Sequence, residues 1–194
     1  MLDKVKELRE KTNAGVMNCK IALKEANGDI EKAIDILRKK GVSLASKKSS
    51  RTAKEGMITS YIHMNNKIGV LLELNCETDF VARNDEFVKF AKELTMQIAA
   101  ANPTYITKDE VTPEDLARER EIIKEQNKNK PEHALEKIME GKLKSYYQDI
   151  CLLDQPYIKD PKVSISDLLT GVIAKTGENI VITRFIRYQL GETA

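Results

Sequence analysis

The feature that most limits how this chain can fold is a change of period near Gly56. Before it, apolar residues recur at helical spacing. After it come two apolar runs rich in β-branched residues, "MITSYIHM" and "IGVLLELN", joined by "NNK". Two such runs across a short Asn-rich connection predict a β-hairpin with Asn65 and Asn66 at its turn. In the second run Ile68, Val70, Leu72 and Leu74 alternate onto one face. A third strand, "NIVITRFIRYQL", follows only near the C-terminal end, so the sheet closes after a long helical excursion. A small sheet needs cover, and one helix is predicted from Asp85 to Ala101, with Phe87, Phe90, Leu94 and Ile98 on one side. Asn84 is its expected N-cap, and Asn102 with Pro103 ends it.

The first 41 residues parse into three short helices. Leu2, Val5 and Leu8 share a face; "TNAG" breaks the pattern; Met17, Ile21 and Leu23 to Ala26 resume it. Asn27 and Gly28 stop the second helix, and Asp29 caps a third that carries Ile30, Ala33, Ile34 and Leu37. After Gly41, "VSLASKKSSRTAKEG" is short of large apolar residues and reads as a linker with some helix in it, which leaves the front module mobile.

Beyond the hairpin, "TPED" (Thr112 to Asp115) starts a highly charged, mostly solvated helix. A second helix near Pro131 carries Leu135, Ile138, Met139, Leu143, Tyr146 and Tyr147, and the pair forms an expected helical hairpin over residues 112–150. A Ser164 to Asp167 capping pattern then opens a helix that stops at Gly177. The expected fold class is α+β: a three-helix module (residues 1–41), a linker (42–55), and a core (56–194) of three antiparallel strands covered by helices. Each strand also has apolar residues on its second face (Met57 and Tyr61; Leu71; Val181 and Phe185), which calls for more helical cover or a second sheet, and a homodimer is one economical solution.

The chemistry is mainly a set of exclusions. Neither GxxxxGK[ST] nor GxGxxG occurs, so no nucleotide cradle and no cofactor are expected. The two histidines, His63 in a strand and His133 at a charged helix start, accompany no interpretable nucleophile, which argues against an enzyme. Cys19, Cys76 and Cys151 show neither a CxxC pair nor metal spacing and read as reduced structural thiols. Glu119, Glu121 and Glu125 alternate with Arg118, Arg120 and Lys124, as ion pairs on a solvated helix do, rather than as a metal site. No apolar run approaches the roughly 18 residues of a membrane span. "MLDKVKELREKT" reads as an amphipathic helix rather than a leader, so a cytoplasmic location is expected.

Charge is uneven. Residues 1–55 carry 14 Lys and Arg against 8 Asp and Glu, whereas the remainder carries 18 against 22. On charge alone an acidic protein surface and a nucleic acid are equally good partners for the basic front end.

One stretch is of a different kind: "NCETDFVARNDEF", residues 75–87, at the junction of the second strand and the helix after it. Asp79 can cap a turn while Phe80 packs inward, or the two can form a contact site; spacing leaves both open. This stretch, together with "LREKTNAGVMNCKIALKEANGDIEKAIDILRKKG", "QPYIKDPKVSISDLL" and "GENIVITRFIRYQLGE", resembles bacterial elongation factor Ts from end to end, in the same order. That family comprises guanine-nucleotide exchange factors for the translational GTPase elongation factor Tu. The length suits the short form with a single core, for which the resemblance implies a homodimer and a ubiquitin-associated-like front module.

The resemblance further implies that Thr78, Asp79, Phe80 and Val81 press on the GTPase and disturb its Mg²⁺ and phosphate site. It places Arg9, Val16, Met17 and Lys20 at the contact between the front module and the GTPase, with Val16 where the family often has methionine. From residue type alone, Arg9 and Lys20 read equally as a solvated helix face and Met17 as a core residue. Direct nucleic-acid or membrane contact is not expected. Two rival readings, a ubiquitin-binding adaptor and an RNA-binding protein, rest respectively on the helical module and on the basic front end.

Overall fold

The computed structural model describes residues 2–12 and 14–192, and of His133 only the backbone; Asn13, part of the expected "TNAG" break, lies outside the described residues. The fold is α+β. Three helices open the chain, α1 (Leu2–Thr12), α2 (Val16–Glu25) and α3 (Ile30–Lys48). Strands β1 (Glu55–Ile62) and β2 (Ile68–Cys76) follow, then α4 (Asp79–Ala82), α5 (Asp85–Ala101), α6 (Pro113–Gln126) and α7 (Glu132–Ile150). The chain closes with β3 (Pro156–Tyr157), β4 (Asp160–Ser164), α8 (Ile165–Thr176) and β5 (Val181–Gln189). The strand order of the antiparallel sheet is β1-β2-β5. Strands β3 and β4 form a separate two-stranded antiparallel ladder that the sequence reading did not anticipate. Strand β3, at two residues, is too short to show an alternation.

Local chemistry sets most of the element ends. The Asp29 carboxylate accepts from the Lys32 N–H at 3.1 Å to open α3, and the Asn84 side chain accepts from the Glu86 N–H at 2.9 Å to open α5. Helix α2 ends where Asn27 and Gly28 take φ of 50° and 79°, which lets the Gly28 N–H reach back to the Leu23 carbonyl at 2.8 Å. Thr112 caps α6 through the Asp115 N–H at 3.1 Å, with Pro113 in the first turn. Thr112→Ala is expected to cost about 1 kcal/mol of stability. Urea unfolding of the variant checks this, and a loss near zero would mean that Pro113 alone fixes the start of the helix.

The chain divides into two compact units. The first comprises Met1–Ser60, Leu71–Leu94 and Asp167–Phe185. In it, Val5, Leu8, Cys19, Ala22, Leu23, Ala26 and Ala33 form a buried cluster among α1, α2 and α3, flanked by Ile30, Ile34 and Leu37. Leu2, Met17 and Ile21, expected on that core face, are exposed. Leu23 and Ala26 turn inward as expected, joined by Cys19 and Ala22, and the small Cys19, Ala22 and Ala26 let the helices approach closely.

Helix α3 does not stop at Gly41. It continues to Lys48 and so takes in the first half of the expected linker. Gly41 is buried, and a Cβ there would lie 3.1 Å from the Thr170 methyl group on α8. Close approach to α8 explains why a residue unfavourable in helices sits in mid-helix. The contact is reinforced by a bidentate ion pair, Arg38 to Asp167, at 3.0 and 2.5 Å, and by the Lys48 ammonium donating to the Gly177 carbonyl.

The second unit comprises Tyr61–Val70, Thr95–Ser166 and Ile186–Ala194. Here α6 packs against α7. Only Ile123 of α6 is buried, and the α7 stripe Leu135, Ile138, Met139, Leu143, Tyr146 and Tyr147 is half-buried throughout. The β3-β4 ladder is pinned by two buried glutamines. Gln97 donates to Gln155 Oε1 at 3.1 Å and to the Pro156 carbonyl at 3.2 Å, and it accepts from the Ile158 N–H at 2.9 Å. Every polar group of this pair is satisfied within the unit, which is what makes its burial tolerable.

Along β2, Val70, Leu72, Leu74 and Cys76 are buried and Leu71 is exposed, as the alternation requires. On β1 the assignment is reversed. Ile58 and Ile62 are exposed while Met57 and Tyr61 are half-buried. Every second residue from Met57 to Tyr61 points inward, and apolar character on both faces gave no basis for choosing between them. On β5, Val181, Ile186 and Tyr188 are exposed. Among the described residues, no helix is long and apolar enough to cross a membrane.

Candidate functional site

Residues 78–81 sit where β2 leaves the sheet. Thr78 is extended (φ −130°, ψ 153°) and its hydroxyl accepts from the Val81 N–H at 3.3 Å, so Thr78, not Asp79, caps the short helix α4. Val81 is buried and anchors that helix. Asp79 faces solvent and pairs with Arg83 at 3.0 Å, one turn on. Phe80 does not pack inward: it is 80% exposed, the most exposed aromatic side chain among the described residues. A four-residue helix with a single anchor cannot bury two apolar side chains that point in different directions, so Val81 goes in and Phe80 goes out.

An exposed phenylalanine on a mobile loop would be poorly placed to bind anything, but this loop is held. One oxygen of the Glu178 carboxylate accepts from the N–H groups of Glu77 and Thr78, both at 3.0 Å, and the other accepts from the Thr78 hydroxyl at 2.7 Å. In return, the Glu77 carboxylate accepts from the Asn179 N–H at 2.7 Å and from Arg51 at 3.4 Å. The Asn179 N–H, and after it Arg51, hold the Glu77 carboxyl below the ordinary carboxylate range. This contribution to stability is therefore complete above the ordinary carboxylate pKa and fades as the pH falls through the lowered one. Asn179, itself buried, donates to the Arg51 carbonyl at 2.7 Å. Beneath the loop, the buried Cys76 thiol donates to the Thr78 carbonyl at 3.1 Å, and burial, the largest cause, raises its pKa to about 11. A thiol buried in this way favours its protonated form, as suits a structural role.

Of the front-module residues, Arg9, Val16, Met17 and Lys20 are all exposed, Met17 at 65%. Met17 is thus not a core residue. With Ile21, also exposed, Val16 and Met17 give α2 an apolar strip on the side away from its buried face. The structure thus presents two exposed sets, one on α1 and α2 and one at the start of α4. The sequence reading missed Glu178, Glu77 and Asn179. A lone glutamate after a helix-ending glycine carries no signal that it accepts from a loop 100 residues earlier.

A model of the family described as "Elongation factor TS" matches residues 3–192. This chain belongs to the elongation factor Ts family. It is 60% identical over 190 residues to elongation factor Ts of Thermodesulfovibrio yellowstonii, an alignment covering 97% of this chain and 95% of that protein. It is 57% identical to elongation factor Ts of a Thermoanaerobacter species, covering 97% and 93% of the two chains. It is 53% identical to that of Thermotoga petrophila, covering 98% and 96%. Coverage this complete on both sides makes these elongation factor Ts proteins of essentially the same length as this chain.

Proposed function

We propose that this chain is a guanine-nucleotide exchange factor that binds elongation factor Tu in its GDP form, weakens the Mg²⁺ and phosphate site, and lets GDP leave so that GTP can bind during translation elongation. Membership of the elongation factor Ts family implies the activity and the partner, and the observation that carries the mechanism is Phe80. A rigidly tethered, solvent-exposed aromatic beside an acid is suited to enter another protein.

GDP is held largely through its phosphates, by backbone amides, a P-loop lysine and Mg²⁺, so an exchange factor must remove part of that charge compensation. Phe80 acts as an apolar wedge in a pocket of the GTPase, desolvated on binding. Asp79 brings negative charge and hydrogen-bond acceptors to the displaced segment, and Thr78 and Val81 fix the pair in place. The coupling is reciprocal: a factor that lowers the affinity for GDP is itself bound less tightly when GDP is present. No bond is made or broken by this chain, and it acts in the cytoplasm, where translation takes place.

Residues 1–41 serve as a ubiquitin-associated-like docking module, with Arg9, Val16, Met17 and Lys20 on the nucleotide-binding domain of the GTPase. Residues 56–194 form the core. The exposed apolar residues Ile58 on β1, Leu71 on β2 and Val181 on β5 favour association of two copies through their sheets.

The test is release of a fluorescent GDP analogue from bacterial elongation factor Tu. Strong acceleration by this chain is expected; binding without acceleration would overturn the reading. Arg9→Ala/Met17→Ala is expected to raise the half-saturating concentration about tenfold and leave the maximal release rate within about twofold. A fall in the maximal rate instead would mean that the front module takes part in displacing nucleotide and does not merely dock.

A further inference from the structure

The loop after α8 carries Glu178, a carboxylate that reaches a loop 100 residues earlier in the chain. Glu178 is half-buried, and both its carboxylate oxygens are turned onto residues 77 and 78. We propose that Glu178 is a positioning residue for nucleotide exchange, holding Thr78 so that α4 starts at a fixed point and presents Phe80 at a fixed angle. This rests on the role given above to residues 78–81.

The chemistry is specific to a carboxylate. A carboxylate only accepts, so it forces the Thr78 O–H to donate to it, which turns the hydroxyl lone pairs toward the Val81 N–H and completes the cap of α4. The same group also satisfies the N–H of Glu77 and of Thr78, which leave the sheet at that point. Glu178 is in turn fixed from behind. Its neighbour Asn179 is buried, donates to the Arg51 carbonyl at 2.7 Å and gives its N–H to Glu77 at 2.7 Å. On the other side, the Gly177 carbonyl accepts from Lys48 at the end of α3. Residues 177–179 thus clasp the end of α3 and the start of α4 to one short loop. A helix of four residues has no stability of its own. Its direction, and with it that of Phe80, is set by this clasp.

The experiment compares wild type, Glu178→Gln, Glu178→Ala, Asp79→Ala/Phe80→Ala and the triple variant. It reads GDP release from elongation factor Tu together with hydrogen exchange at the amides of Glu77 and Thr78. Glu178→Ala is expected to lower the maximal release rate about tenfold while the half-saturating concentration moves less than about threefold, and to speed amide exchange at 77 and 78 about tenfold. Glu178→Gln keeps an oxygen for the two N–H groups but turns an NH₂ toward the Thr78 hydroxyl, so its rate should fall between wild type and Glu178→Ala. In the Asp79→Ala/Phe80→Ala background, Glu178→Ala should add nothing, because positioning has no effect without the groups positioned.

Wild-type release rates in Glu178→Ala, or a loss that persists undiminished in the triple variant, overturn the proposal. If wild type itself releases no GDP, the exchange reading fails separately, and amide exchange still decides the clasp: faster exchange in Glu178→Ala upholds it, and unchanged exchange overturns it.

Discussion

Asp79→Ala/Phe80→Ala is expected to lower the maximal rate of GDP release from elongation factor Tu about a hundredfold, with an unchanged thermal midpoint. The separation of the two effects follows from where the side chains are. Phe80 is almost fully exposed, so its removal empties no core space, and the Asp79 to Arg83 pair lies between two exposed side chains one helical turn apart. Such pairs contribute at most about 0.5 kcal/mol. Neither change touches Val81 or the Thr78 cap, which hold α4 in place. Whatever the variant loses is therefore loss of contact with the partner. Phe80→Leu should keep part of the rate, since a wedge needs apolar volume more than aromaticity. A double variant that still released GDP at the wild-type rate would remove residues 79 and 80 from the mechanism, and the front module would become the place to look.

The largest effect on stability is expected from Gly56→Ala, at roughly 3–5 kcal/mol, the range of the most damaging single substitutions. Gly56, the second residue of β1, has a φ of 145°, a backbone state that residues with a side chain rarely adopt. A Cβ there would stand 2.2 Å from the Leu74 carbonyl oxygen and 2.7 Å from the Asn75 Cα. Both obstacles are backbone, so relief requires lifting the start of β1 off β2, and the Asn75 side-chain bond to the Glu55 carbonyl at 3.1 Å goes with it. Gly69→Ala is the control. Its Cβ would lie 3.2 Å from the end of the Ile62 side chain, which can turn aside, and the expected loss is below about 1 kcal/mol. Urea unfolding of the two variants checks the contrast. Equal losses would show that the cost comes from conformational freedom common to strand glycines and not from the close approach at Gly56.

Most helix ends and the three strands of the main sheet were legible in the sequence because their causes are local. Asp29, Asn84 and Thr112 cap helices by bonds to N–H groups two or three residues on, and Asn102 ends α5 at φ 45° by the same short-range logic. The alternation of β2 held because Val70, Leu72, Leu74 and Cys76 on one of its faces are buried, which fixes the register. Family membership was equally legible, since four motifs in order are a property of the residues alone.

Only packing decided the rest. Whether Gly41 ends a helix depends on α8 lying against it, and whether Met17 is core depends on which side of α2 the neighbouring helices take. The inward face of β1 could not be chosen from a strand apolar on both sides, and the β3-β4 ladder depends on two glutamines brought together from residues 97 and 155. At the site, the sequence placed Asp79 and Phe80 at a junction. Their exposure followed from a single anchor, Val81, and their fixed position from Glu178 across 100 residues of chain. Capping and periodicity act over one turn or one pleat, so a sequence carries them in its neighbouring residues. Burial and tethering need a partner from elsewhere in the chain, and only the folded structure supplies it.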